Sequence, residues 1–317
     1  MEGRVLKYHS GFYHVFHDGE QTVCKIRGKL KSGRKNTDII AIGDLVKFEI
    51  LPDGSGIIEE IMPRSNELIR MTSGIKIEYR QILISNMDQV LLVFACTHPE
   101  PRLRMLDRFL VVCEKQGITP IIVVNKIDLL GEEQARELFR DYEPLGYRTV
   151  YVSAENGTGI EEVRELLTNR ISGLVGPSGV GKSTIINRID PSLDLRTNEI
   201  SDYNEKGRHT TVVREMFPLK DGGFVADLPG LKTLALWDIE PEELDGYFPE
   251  LRGLVKDCYY SDCTHDETEV GCAVHQAVAE GRVSKERYES YLRMRFGDDE
   301  EAWEQTIRNN PLQNRLM

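Results

Sequence analysis

No stretch of the 317 residues is apolar for longer than Val90 to Cys96, far short of the ~18 residues that a membrane-crossing helix needs. The opening residues, MEGRVLKYHS, lack the apolar core of a signal peptide. No unit recurs at the periods of roughly 20–50 residues that build solenoids, and no low-complexity tract is present. Excess positive charge is missing too. With 40 Lys/Arg against 52 Asp/Glu the formal net charge is −12, which argues against indiscriminate binding to nucleic acid. These absences predict a cytoplasmic protein with no membrane partner.

What is present suffices for a large core. Hydrophobic residues make up 40% and charged residues 29%, the composition of a globular chain, and the length suits two to three domains. Charge is unevenly placed: residues 1–65 hold ten Lys/Arg against nine Asp/Glu. Within them Lys25, Arg27, Lys29, Lys31, Arg34 and Lys35 fall together with no acid among them. Such a stripe is either a solvated strand edge or a face that docks RNA phosphates, with Phe12, Tyr13 and Phe16 read as core first and base-stacking groups second.

Period-two stretches around Asp18-Gly19 and around PDGSG at 52–56 predict a small antiparallel β-barrel over residues 1–65, OB-like in size, with an SH3-like barrel as the alternative. Residues 66–235 alternate buried strands (QVLLVFA, TPIIVVN, RTVYV, ISGLV) with amphipathic helices, the signature of an α/β domain with a parallel sheet. Residues 236–317 read as helical around a Cys/His cluster.

The α/β segment carries the chemistry. Gly176-Pro177-Ser178-Gly179-Val180-Gly181-Lys182-Ser183-Thr184 fits GxxxxGK[ST] between a strand and a helix, which makes it a phosphate-cradling loop. Its N–H groups surround a β-phosphate, Lys182 bridges the β- and γ-phosphates, and the Ser183 hydroxyl ligates Mg²⁺. Asn125-Lys126-Ile127-Asp128 closes the TPIIVVN strand. The Asp128 carboxylate can accept from both N1–H and the exocyclic amine of guanine. Two such bonds imply a preference for GTP over ATP on the order of 10²–10⁴. Lys126 lies over the purine, Asn125 ties this loop to the phosphate loop, and Ser153-Ala154-Glu155 offers backbone N–H to the guanine O6. Asp227, in DLPG, holds a Mg²⁺-bound water and the Gly230 N–H senses the γ-phosphate. Between them GRHTT supplies a switch threonine for Mg²⁺, Thr211 first and Thr210 in reserve. Leu231 stands where many GTPases place a water-orienting glutamine, so intrinsic hydrolysis is expected to be slow. His209 either orients the attacking water or only shapes the loop. The catalytic group expected here is therefore His209, Lys182 and Thr211.

The motif order is unusual, because NKID and SAE precede the phosphate loop, HTT and DLPG. A parallel sheet tolerates such re-cutting if the old termini are joined, and Leu166 to Ser172 is the expected joint. The chain after Gly230 then leads straight into the C-terminal segment, so nucleotide state can be relayed to it. There Cys258, Cys263, His265 and Cys272 supply four ligands within 15 residues, the pattern of a closed structural Zn²⁺ site, with His275 one helical position off. A metal-delivering GTPase and a GTP-dependent scaffold with negligible turnover are the competing classes.

Together these motifs resemble the RsgA (YjeQ) family of small-subunit-dependent GTPases, most specifically in GPSGVGKST, GRHTT, the C-x4-C-x-H-x6-C spacing and the RGKL and IGDLV pieces of the barrel. The resemblance implies a circularly permuted GTPase that binds the 30S subunit and its 16S rRNA in late maturation, acts as a monomer, and is stimulated by the subunit. It places the switch histidine and threonine on His209 and Thr211. DLPG for DTPG and Val212 for a third threonine are departures, and the acidic tail DDEEAWEQ offers no basic extension.

Overall fold

The computed structural model describes residues 1–28, 30, 37–73, 78–195, 215–227 and 239–297. His209, Thr210, Thr211, Gly230 and Leu231 lie outside the described residues, as do Lys29, Lys31, Arg34 and Lys35. Backbone proximity groups the chain into two compact units, Met1–Pro101 with Gln116–Ala235, and Arg102–Lys115 with Leu236–Met317.

The first unit opens with a closed five-stranded barrel in the order β1-β2-β3-β5-β4, made by β1 (Glu2–His9), β2 (Phe12–His17), β3 (Glu20–Ile26), β4 (Leu45–Ile50) and β5 (Gly56–Ile61). Asp18 and Gly19 both take positive φ, 47° and 85°, the backbone that a two-residue hairpin needs to match strand twist. Val5, Val15, Cys24, Val46, Phe48 and Ile58 fill the interior. Sequence alternation alone does not single out β1, because a bulge between Val5 and Lys7 shifts its register and leaves Val5 and Leu6 buried in succession. A hairpin of β6 (Glu67–Ser73) and β7 (Glu78–Ser85) follows, in a stretch to which sequence analysis assigns no element.

Asp44 fastens this hairpin to the barrel. Its carboxylate is fully buried and accepts from Arg64 Nε and Nη2 at 2.6 and 2.7 Å, from Ser85 Oγ at 2.6 Å and from Ala41 N at 2.8 Å. Arg64 also donates to Glu67 at 3.0 Å. A buried carboxylate costs several kcal/mol in lost hydration, which only a full set of donors offsets.

The second part of the unit is a six-stranded sheet in the order β10-β9-β8-β11-β13-β12. It comprises β8 (Gln89–Ala95), β9 (Thr119–Asn125), β10 (Arg148–Tyr151), β11 (Ile171–Val175), β12 (Met216–Pro218) and β13 (Phe224–Asp227). All neighbours are parallel except β12, which runs antiparallel to β13 and departs from the expected all-parallel sheet. Every residue of β8 is buried, as expected of a strand covered on both faces. Helices α2 (Ile127–Leu130), α3 (Glu132–Leu138), α4 (Ile160–Leu167) and α5 (Lys182–Ile189) belong to this unit. Only Thr168, Asn169 and Arg170 separate α4 from β11, inside the stretch expected to hold the joint.

The second unit gathers α1 (Leu103–Gln116), α6 (Pro249–Arg252), α7 (Ala273–Ala279) and α8 (Lys285–Phe296). Its core joins Val111 of α1 to Leu244, Phe248, Leu251, Tyr291 and Leu292. Arg287 is buried there, with Nη1 2.6 Å from Asp107 and Nε 2.7 Å from Glu250, its guanidinium over the Phe248 ring. The alternating charges of α8 therefore belong to a packed helix.

The Asp44 cluster generates a stability prediction. Asp44→Ala should lower the unfolding free energy by about 3–5 kcal/mol, because it strands Arg64 and Ser85 in the interior. Urea denaturation of the full chain measures it, and a loss below about 1 kcal/mol would deny Asp44 this role.

Candidate functional site

In a sheet of parallel strands the carboxyl ends share one edge, where α/β proteins bind ligands. Asn125 ends β9, Ser153 follows β10, Gly176 follows β11 and Asp227 ends β13. Sequence order is permuted but spatial order is not, since β9, β8, β11 and β13 are successive neighbours.

Asn125 joins two of these loops. It is 2% exposed, its Nδ2 donates to Val180 O at 2.8 Å, and its Oδ1 accepts from Ala154 N at 3.0 Å. One side chain thus ties the GPSGVGKS loop to the loop after β10. Its neighbours have to make room. Gly181 sits at φ 98°, and a Cβ there would lie 2.2 Å from Asn125 Nδ2. A Cβ on Gly176 would lie 2.0 Å from Val93 O. Side chains at either position would push the phosphate loop off the sheet.

Lys182 begins α5 and folds back so that Nζ donates to Gly176 O and Pro177 O, both at 3.0 Å. The ammonium therefore lies against the loop that Pro177, Ser178 and Gly179 complete. Val180 is 1% exposed and anchors the loop in the sheet core. Lys182 and Ser183 border a small cleft with Leu174 of β11 and Val225 of β13, the strand that ends in Asp227. Thr184 follows on α5.

At the other end of the site, Asp128 Oδ1 accepts from Ser153 Oγ at 2.5 Å, and Ser153 Oγ accepts in turn from Asn156 N at 3.2 Å. The Ser153 N–H donates to Thr158 O, and the Ala154 N–H to Asn125. The link from this segment to the Asp128 carboxylate is thus the serine hydroxyl. Lys126 takes φ 68° and its ammonium donates to His98 O. Sequence analysis passes over His98 and also Arg188, whose Nε donates to Ala154 O at 2.9 Å. Arg188 stands six positions after Lys182 on the same helix; His98 has no local signal.

In the second unit the ligand atoms of Cys258, Cys263, His265 and Cys272 lie within 4.8 Å of one another. A tetrahedron with metal–sulfur bonds of 2.3 Å has edges of about 3.8 Å, so modest side-chain rotation would close the four groups on one ion. His265 Nδ1 stands 3.6 Å from Cys258 Sγ and 3.4 Å from Cys272 Sγ, while Nε2 faces Asp245 Oδ2 at 3.3 Å. A proton on Nε2, bound to Asp245, turns the Nδ1 lone pair toward the sulfurs. Burial pushes the Cys263 thiol up to about 12. Burial, the largest single influence, acts to raise Cys272, but the contacts with His265, His275 and Cys263 together outweigh it and hold that thiol down to about 6. A divalent cation would take both as thiolates. His275 binds the His265 carbonyl at 3.1 Å and is outside the cluster. The residues present could hold zinc, and four protein ligands leave no open position for substrate.

Residues 61–237 match the RsgA GTPase family and residues 2–58 the RsgA N-terminal domain. The chain belongs to the RsgA GTPase family. It is 43% identical over 296 residues to the small ribosomal subunit biogenesis GTPase RsgA of Gemmatimonas aurantiaca, covering 92% of this chain and 96% of that one. The crystal structure of YjeQ from Thermotoga maritima superposes with a TM-score of 0.75 at 37% identity, over 93% of this chain and 97% of that one. YloQ, described as a circularly permuted GTPase, gives a TM-score of 0.69 at 31% identity over 98% and 96%. This RsgA-family chain is accordingly a GTP-hydrolysing enzyme with a circularly permuted GTPase fold, an N-terminal five-stranded barrel and a Cys₃His group that could bind zinc. Among the described residues no helix is long and apolar enough to cross a membrane.

The histidine–aspartate pair generates the prediction for this site. Asp245→Ala should weaken zinc retention 10–100-fold in chelator competition, with basal GTP hydrolysis unchanged. Unaltered zinc affinity would show that Asp245 does not orient His265.

Proposed function

We propose that this GTPase works in biogenesis of the small ribosomal subunit, binding the 30S particle and its 16S rRNA late in maturation and leaving after hydrolysis. The observation that carries this reading is the Asn125 bridge, which unites phosphate loop and NKID in one site, in a chain whose relatives bear the name small ribosomal subunit biogenesis GTPase. In this reading residues 1–65 bind RNA, residues 66–235 bind and hydrolyse GTP, and residues 236–317 form the zinc domain.

Each residue then has a task. Asp128 reads guanine while Ser153 steadies its carboxylate, and Lys126 covers the purine. The loop from Gly176 to Thr184 wraps the phosphates and Lys182 offsets charge on the transferring group. Ser183, Thr211 and Asp227 would hold Mg²⁺, directly or through water, and its positive charge would offset that of the phosphates. Gly230 senses the γ-phosphate, and His209 orients the attacking water in place of the glutamine that Leu231 excludes. The chain beyond Gly230 relays nucleotide state to the zinc domain held by Cys258, Cys263, His265 and Cys272. The protein acts in the cytoplasm as a monomer.

Exposed Phe12 with Lys25 Nζ 5.2 Å over its ring supports a base-stacking role for the barrel face. Tyr13 is buried and Phe16 packs edge-on against Phe224, so these two serve the fold.

The test is GTP hydrolysis by the full chain alone and with purified 30S subunits, 50S subunits or bare RNA. The expected result is a slow basal rate raised about tenfold or more by 30S alone. Stimulation by none of them would discard the ribosomal role and leave the GTP chemistry standing.

A further inference from the structure

The second unit exposes an apolar and aromatic patch that neither GTP nor the metal group employs. Tyr259 is 77% exposed, Val270 78% and Tyr260 51%. The two tyrosine rings meet edge to face with centroids 4.8 Å apart. The patch is built against backbone, since Tyr259 N–H donates to Gly271 O at 3.1 Å and a Cβ on Gly271 would stand 2.9 Å from Tyr259 Cβ. Gly271 is also a wall of a groove of about 470 Å³ that Asp257, Glu269, His275 and Gln276 help to line. Patch and groove are therefore continuous. Cys258, Cys263 and Cys272 lie at or beside both, so the metal group would stiffen the surface.

The loop that carries the patch has charge of one sign, while Lys256 precedes it and Arg282, paired with Glu280 at 2.7 Å, also lines the groove. From 257 to 271 there are five carboxylates (Asp257, Asp262, Asp266, Glu267 and Glu269) and no lysine or arginine. Asp266 and Glu269 are engaged by Thr268 and Thr264 within the loop, whereas Asp257, Asp262 and Glu267 are exposed. A phosphodiester backbone would be repelled here. Tyrosine faces edged by carboxylates attract ammonium and guanidinium groups, and an apolar side chain such as Val270 suits their aliphatic stems.

We infer that this patch docks a lysine- and arginine-rich polypeptide segment, with cationic heads over Tyr259 and Tyr260 and one basic side chain reaching Asp257 in the groove. The inference rests on the small-subunit reading for the source of the segment, which is a basic protein of that particle and not its RNA.

The test is fluorescence anisotropy of a labelled peptide of alternating arginine, lysine and glycine, titrated with the zinc-loaded full chain. Two double variants, Tyr259→Ser with Tyr260→Ser and Asp262→Asn with Glu267→Gln, should each weaken binding about tenfold. Both should retain zinc and basal GTP hydrolysis, and added salt should weaken wild-type binding. Equal binding by wild type and variants overturns the proposal. So does an RNA oligonucleotide, or a second copy of the chain seen by sedimentation, whose binding is the one these variants abolish. Hydrolysis with 30S subunits is measured in parallel. Variant-sensitive peptide binding without 30S stimulation defeats the small-subunit reading and leaves the surface standing; stimulation with variant-insensitive peptide binding defeats the surface alone.

Discussion

The nucleotide end of this molecule depends on the two hydrogen bonds of the Asn125 side chain. Placed in the interior, a carboxamide has to satisfy both its ends, and here one end holds the phosphate loop at Val180 and the other the loop after β10 at Ala154. Each bond contributes about 1 kcal/mol, and leaving either partner unpaired in the interior costs more than the bond itself. The glycines follow from this constraint. Gly181 is without a side chain because Asn125 occupies that space, and Gly176 because the β8 backbone does.

The same bridge explains why the permuted order is tolerated. The site is defined by which strand ends lie side by side, and β9, β8, β11 and β13 keep that order whatever the direction of connection. Joining α4 to β11 takes only three residues. In exchange, the strand carrying Asp227 is the last of the sheet in sequence among the described residues, and the chain proceeds from it to the segment that carries the Cys₃His group.

What was legible in the sequence is what short-range chemistry dictates. The strand, loop and helix around GPSGVGKS, the strand that ends at Asn125 and the gathering of Cys258, Cys263, His265 and Cys272 all follow from residues close together in the chain. Illegible were features that join distant residues. Asp44 meets Arg64 and Ser85 across 20 and 41 positions, and Asp245 stands behind His265 across 20. No periodicity announces such pairs. The β1 bulge hid a strand by breaking alternation, and antiparallel β12 is three residues long, too short to show a period. The Arg287 cluster was hidden for another reason: charged residues on a helix read as a solvated face unless their partners, here Asp107 and Glu250, are known.

If Asn125 unites the loops into one guanine-nucleotide site, then Asp128 is the residue that chooses the base. The most direct measurement is hydrolysis of GTP against XTP by the wild-type chain and by Asp128→Asn. Xanthine carries an oxygen where guanine has its amine, so a carboxamide can donate to that oxygen while still accepting from the ring N–H. The account predicts that the wild type favours GTP by about 10²–10⁴ and that the variant reverses the preference. A variant that still favours GTP would contradict it, because the base would then be read somewhere other than at the end of β9.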